Sequence, residues 1–141
     1  WKHLFDFDFK RERYGTYPNL FLNYGYTILR AAVARAISGS GLLNTLGIHH
    51  HNRYNAFCLA DDIMEPYRPL IDAKVLEIIK KYDEQDLILP IKAALLKTLT
   101  QTVYFEDRKS PLMVALSTTT SSLQKCFSGT SRKIIYPNLW N

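Results

Sequence analysis

Apolar residues recur at spacings of three and four from Leu22 through Tyr26, Leu29 and Val33 to Ile37, which puts them on one face of a helix. Asn19 is a candidate cap for a helix from about Leu20 to Ser38, and the run SGSG stops it. A second helical pattern starts near Asn55 with Phe57, Leu59 and Ile63. Pro66 and Pro69 interrupt it before Ile71, Val75 and Ile78 resume the period. A proline ring lacks a donor and clashes with the preceding turn, so the pattern predicts a kink or break there. Pro90 suits the first turn of a third helix with Ile91, Leu95 and Leu99 as its stripe. The stretch TVYFEDRKSPL then joins β-prone residues to turn chemistry and permits one small β-hairpin. Ser110 and Pro111 read as cap and first residue of a fourth helix ending near Phe127, with Leu112, Leu116, Leu123 and Phe127 on its apolar side. The centre of that helix, STTTSS, competes for backbone hydrogen bonds and needs tertiary support to stay helical. The expected class is all-α, with at most that hairpin.

Composition narrows the picture without changing it. The 141 residues suffice for a single domain, with 47% apolar and 22% charged positions. No apolar run approaches the roughly 18 residues of a membrane span, and the first residues lack signal-peptide order, so no membrane is expected and a cytoplasmic setting is. Cys58 and Cys126 have no paired spacing and read as free thiols. The chain opens at Trp1 without a methionine, which reads as a fragment.

Charge is more informative in its distribution than in its sum of +5. Eight of thirteen carboxylates lie between Asp61 and Asp86, flanked by Lys10, Arg11 and Arg13 on one side and Lys109, Lys125, Arg132 and Lys133 on the other. An acidic cluster in a basic frame suits cations held beside a polyanion; it also suits an ordinary solvated surface.

The densest chemistry is GIHHHNRYNAFCLADDIMEPYRP, residues 47–69. On a helix Cys58, Asp62 and Glu65 share a face, while Asp61 points about a quarter turn away. Two carboxylates one turn apart repel unless Arg68 or a divalent cation lies between them. Hard carboxylate oxygens suit Mg²⁺ or Mn²⁺, and an added imidazole favours Mn²⁺. A histidine reaches Glu65 only if the loop from His51 to Tyr54 folds back, because ten helical residues span about 15 Å. That geometry is permitted and not compelled; the alternative is an exposed histidine loop with Asp62 and Glu65 salt-bridged to Arg68 and other basic residues. The chain has no HExxH, GxSxG, P-loop or His-Asp dipeptide, and those enzyme classes drop out.

Residues 18–72, PNLFLNYGYTILRAAVARAISGSGLLNTLGIHHHNRYNAFCLADDIMEPYRPLID, closely resemble the C-terminal helical domain of the CRISPR-associated integrase family, the large subunit of the spacer-acquisition complex, in its type II branch. The pattern is an Asn-Tyr-Gly-Tyr helix, a glycine three residues before a histidine, and an Asp and Glu ahead of a Pro-aromatic-Arg-Pro sequence. Asp62 and Glu65 fall twelve and fifteen residues after His50, the family spacing. SPLMVALSTTTSSL and RKIIYPNLW resemble its closing helix and tail.

The resemblance implies a metal-dependent DNA endonuclease and integrase that joins spacer DNA to a CRISPR array by phosphodiester transesterification. His50 and Glu65 then correspond to ligands of Mg²⁺ or Mn²⁺, and Asp62 to an accessory catalytic carboxylate. Lys10, Arg11, Arg13 and Arg53 are candidate DNA contacts. Implied partners are duplex DNA (spacer precursor and CRISPR repeat), a second copy in a homodimer, and a small dimeric CRISPR-associated subunit, in a prokaryotic cytoplasm. Two departures stand out: Cys58 occupies a position where many members have serine, and the family's first metal-ligating glutamate falls upstream of Trp1. An isolated chain is therefore expected to be nearly inactive. The competing reading is a non-catalytic helical module for DNA binding or assembly.

Overall fold

The computed structural model describes residues 9–12 and 15–141. The aromatic opening of the chain and the candidate contact Arg13 lie outside the described residues.

Helix α1 (Asn19–Gly39) is the hub, and every other helix packs on it: α2 (Cys58–Met64), α3 (Arg68–Lys81), α4 (Leu89–Leu96) and α5 (Leu112–Phe127). Its expected stripe is fully buried, with Leu22, Tyr26, Leu29, Val33 and Ile37 joined by Phe21 and Ala34. Close approach of α3 requires Gly25, where an added Cβ would stand 2.5 Å from Ile71 Cγ2. The expected class holds: a helical fold with one antiparallel hairpin, β1 (Thr102–Tyr104) against β2 (Lys109–Pro111).

Local signals explain most boundaries. Gly41 takes a φ of +73°, and the Leu42 and Gly41 amides donate to the Ile37 and Ser38 carbonyls, the two bonds of a Schellman end. The SGSG run therefore stops α1 as read. The prolines act where expected: a 3-10 turn, Glu65–Tyr67, separates α2 from α3, and α4 carries Pro90 in its first turn. The last turn of the third helical pattern tightens into a second 3-10 segment, Lys97–Thr100.

Three starts differ from expectation. Asn19 lies inside α1 behind Pro18 and does not cap it. Instead its amide ties down the preceding segment, accepting from Glu12 N (2.9 Å) and Arg11 Nη1 (3.0 Å) and donating to Lys10 O. Helix α2 begins at Cys58, three residues after Asn55, because the Asn55 side chain turns back to accept from Phe57 N at 3.0 Å. Ser110 belongs to β2 and Pro111 takes the N-cap place of α5 in an extended conformation.

The hydroxyl-rich centre of α5 receives the support it needs. Thr119 is fully buried, donates to Ile135 O at 2.7 Å and meets the Tyr67 hydroxyl at 2.5 Å. Thr120 donates to Ala36 O of α1, and Ser122 accepts from Ile135 N. The cluster binds α5 to α1, to the 3-10 turn and to the C-terminal tail, which also pairs with the hairpin through Tyr104 and Asn138.

Candidate functional site

The loop between α1 and α2 is stitched at both ends. Asn44 Nδ2 donates to Ala34 O and Ser38 Oγ, and the Asn44 backbone carbonyl accepts from Leu59 N at 2.9 Å. The histidine stretch is thereby folded back across α2. There the Asp62 carboxylate gathers it: Oδ2 accepts from Ile48 N (2.5 Å) and His49 N (2.9 Å), and Oδ1 from His50 N (3.2 Å), with His50 Nδ1 at 2.6 Å. Burial alone would raise the Asp62 pKa; the amide of His49, the His50 ring and the amides of Ile48 and His50 outweigh it, and the carboxyl is held below its ordinary value. Its side chain is 6% exposed against 47% for His50.

The three carboxylates of this region differ in how fully they are occupied. Asp62 has four donors. Asp61 meets Arg30 Nε at 2.7 Å, Arg30 Nη2 at 3.0 Å and Asn55 Nδ2 at 2.7 Å, with Asn55 Oδ1 in turn held by Arg30. Among the described residues Glu65 has one partner, Arg68 Nη1, at 3.0 and 3.1 Å from its two oxygens. Glu65 is thus the carboxylate with acceptor capacity to spare.

His50 and Glu65 line one open cleft of about 870 Å³, together with Asp61, Asn55, Tyr54 and three guanidinium groups, Arg11, Arg30 and Arg68. Asp62 stands behind His50 rather than in the cleft lining. Its expected pairing with Glu65 on one face is replaced by two separate tasks, since Asp62 turns to the loop and Glu65 opens the 3-10 turn. Beneath the cleft Tyr26 carries Arg68 4.9 Å and Arg11 5.5 Å from its ring centre, and its hydroxyl donates to Asp72. Burial, reinforced by Asp72, pushes that hydroxyl far above the usual tyrosine range, so it stays a donor.

The expected DNA contacts are spread unevenly. Arg11 enters the cleft, donating to Asn19 and Asn23. Lys10 is exposed outside it, 3.6 Å from Glu12. Arg53 is exposed on the loop, stacked 4.6 Å over Tyr54. Sequence reasoning missed Arg30 and Asp61: only the contact between α1 and α2 brings Arg30 to Asp61 and Asn55. Tyr26 was read as packing, which it is, and it also positions two cations.

A divalent ion fits this donor set in part. With Nδ1 of His50 taken by Asp62, Nε2 remains as the ring's ligand atom, the arrangement that metal-bound histidines commonly show. Glu65 supplies two nearly half-exposed oxygens that share one Arg68 nitrogen. Among the described residues no three His, Cys, Asp or Glu side chains converge on one point.

Comparison with known proteins gives consistent answers. A family model described as CRISPR associated protein Cas1 matches residues 2–107. The chain is 39% identical over 107 residues to the CRISPR-associated endonuclease Cas1 of Neisseria meningitidis serogroup C, covering 75% of this chain and 35% of that protein. It is 32% identical over 87 residues to the CRISPR-associated endonuclease Cas1 1 of Francisella tularensis subsp. novicida, covering 60% of this chain and 27% of that one. The chain therefore spans about a third of the length of these relatives. Among solved structures, a casposase bound to integration product superposes with a TM-score of 0.79 at 23% identity, over 94% of this chain and 43% of that one. A CAS1 protein from Thermotoga maritima gives 0.73 at 21%, over 85% and 42%, and a Cas6-RT-Cas1–Cas2 complex 0.71 at 22%, over 95% and 16%. At these identities the structures share the fold.

Proposed function

The chain belongs to the CRISPR associated protein Cas1 family, and from that premise we propose that it forms the helical, cation-binding part of a DNA endonuclease and integrase, with His50 and Glu65 as ligands of Mg²⁺ or Mn²⁺. The observation that carries this reading is the Asp62 carboxylate on His50 Nδ1, 2.6 Å away, together with a nearly half-exposed Glu65 carboxylate on the same cleft. With Asp62 accepting, neutral His50 carries its proton on Nδ1 and offers Nε2. Asp62 is then a positioning residue for the histidine, and the four bonds it receives explain why the loop holds its place.

The reaction proposed is phosphodiester transesterification. A 3′-hydroxyl oxygen of the incoming DNA forms a new bond to a phosphorus of the CRISPR repeat, and the bond from that phosphorus to the 3′ oxygen of the adjoining repeat nucleotide breaks. The proton of the attacking hydroxyl passes to solvent or to a base, and the leaving 3′ oxygen takes up a proton from solvent. When bound, a hard divalent ion lowers the pKa of the attacking oxygen and offsets charge building on the phosphate. Arg11, Arg30 and Arg68 line the same cleft and supply fixed positive charge for the phosphate oxygens. Arg53, and Lys10 further out, extend the positive field toward duplex DNA, and Arg13 belongs to the same proposed set of DNA contacts.

The whole protein's partners belong to the same proposal: spacer-precursor and repeat duplexes, a second copy of this chain, and a small dimeric CRISPR-associated subunit. The integration product in the casposase structure and the Cas1–Cas2 assembly support the DNA and the small subunit. Two ligands leave a divalent ion largely hydrated, so a third carboxylate, such as the family's upstream glutamate, completes the proposed site. The 141-residue chain by itself is expected to be nearly inactive, since imprecise placement alone costs on the order of a hundredfold.

The Glu65–Arg68 ion pair favours the second reading, a helical DNA-binding or assembly module without catalysis. Mn²⁺ titration followed by electron paramagnetic resonance separates the two. On the proposed reading His50→Ala and Glu65→Gln each weaken Mn²⁺ binding by about 10- to 100-fold, at least what losing an orienting partner costs. Mn²⁺ binding unchanged in both variants would leave the module.

A further inference from the structure

Arg68 is held from three sides. Its guanidinium carbon lies 4.9 Å from the centre of the Tyr26 ring. Asp72, one helical turn further along α3, is close enough for the Arg68 charge to act on its carboxyl. Glu65 is the third contact, and it is the weakest of them: both side chains are nearly half exposed, at 43% and 47%, and water competes for the pair. Removing Glu65 from this set would leave Arg68 in place, because Tyr26 is itself buried and its hydroxyl is fixed by Asp72. The converse does not hold. Among the described residues Glu65 has no donor other than Arg68, so without it the carboxylate would lack a donor from them at the cleft wall.

We propose that Arg68 is a displaceable counter-cation for Glu65: it occupies the carboxylate while the cleft is empty and yields it to a divalent ion, a role that rests on the cation site proposed above. Asp61 and Asp62 cannot be exchanged in this way, since two hydrogen bonds and the close Arg30 Nε charge hold Asp61 and four contacts hold Asp62. The exchange leaves a guanidinium, still seated on Tyr26, with free donors in a cleft that already contains Arg11 and Arg30. Arrival of the ion and readiness for a phosphate are thereby linked through one side chain.

The test measures Mn²⁺ affinity of the 141-residue chain by paramagnetic resonance, in the unmodified form, Arg68→Gln, Glu65→Gln and the double variant. Loss of the competitor should tighten Mn²⁺ binding roughly twofold to fivefold, the range an exposed ion pair is worth. In the Glu65→Gln background the same Arg68→Gln change should have no effect. Binding that weakens or stays constant in Arg68→Gln, while Glu65→Gln weakens it, overturns the counter-cation role and leaves the cation site standing. If Glu65→Gln changes nothing, the cation site fails and the role falls with it. A measurement on the unmodified chain guards against a variant that does not fold: Mg²⁺ titration should shift the Arg68 guanidinium nitrogen and proton resonances, and a static signal at saturating Mg²⁺ would refute displacement.

Discussion

Replacing Asp62 by asparagine changes charge and hydrogen count at nearly constant shape. In the folded protein Oδ2 accepts two backbone N–H groups and Oδ1 one more, with His50 Nδ1 beside it. An asparagine with its oxygen in the Oδ2 place keeps the Ile48 and His49 bonds, but its NH₂ group then faces the His50 amide, donor against donor. Each surviving bond also falls from a charged acceptor, worth about 1.5–3 kcal/mol, to a neutral one, worth about 0.5–1.5 kcal/mol. Since the bonds share one side chain and are not additive, the expected net loss is about 2–3 kcal/mol. Urea denaturation should show it as a lower midpoint with an unchanged slope. The second effect is on His50. The new NH₂ can donate to Nδ1, so the neutral ring moves its proton to Nε2 and loses its ligand atom, a change visible in the imidazole nitrogen shifts. Acid behaviour follows from the same group: a carboxyl held below its ordinary value contributes stability that is complete above the unfolded-state pKa, near 3.9, and is lost as pH falls through the lower folded-state value. The variant should lack that component. A midpoint within about 0.5 kcal/mol of the parent, the scale of a neutral surface change, or an imidazole with its proton still on Nδ1, would refute the argument.

Other substitutions probe the frame around this carboxylate. Gly47→Ala places a Cβ 2.2 Å from His50 O and 2.8 Å from Cys58 Cβ; the loop must shift, and a loss of about 1–3 kcal/mol in urea midpoint is expected, together with weaker Mn²⁺ binding. Thr119→Val removes a buried hydroxyl that serves Ile135 O and the Tyr67 hydroxyl; thermal unfolding should report a loss of about 1–3 kcal/mol for the groups left unpaired. Cys58→Ser should be tolerated within about 1 kcal/mol by the same measurement, because a hydroxyl inherits the contacts Sγ makes with Asn52 O and Asn55 O at 3.5 and 3.3 Å. DNA binding by the chain should fall steeply between low and moderate salt in an anisotropy titration, and binding unchanged by salt would remove the guanidinium groups from the interface.

The helices were legible because their apolar periods are long: the α1 stripe from Leu22 to Ile37 is buried as read. The prolines also spoke plainly, at Pro66, Pro69 and Pro90. Helix starts were less readable where an asparagine had two uses. Asn19 reads as a cap and Asn55 as the start of the second pattern, and both are drawn to partners that sequence neighbours do not reveal, Arg11 in one case and Arg30 with Asp61 in the other. For the candidate site, the family resemblance marked His50, Asp62 and Glu65, but helical periodicity assigned Asp62 and Glu65 a common face. The 3-10 turn at Glu65 and the amides of residues 48–50 divide their tasks, and neither is encoded as a period. Arg30 lay in a helix read as packing, and its charge acquires a role only when α1 meets α2.

The turn Glu65–Tyr67 is three residues long, with Glu65 at the cleft and Tyr67 fully buried two positions later. Tyr67 shares a hydroxyl contact with Thr119 on α5 and lies 5.8 Å from the ring of Tyr136 in the tail. The wall between solvent and core is therefore a single proline thick. Drift in α5 or the tail reaches the cleft through that wall without touching any cleft residue. Homologues that exchange Thr119 or Tyr136 would be expected to carry a paired exchange at position 67, and an engineer transplanting the cleft onto another helical frame would have to move this tyrosine and its hydroxyl partner with it.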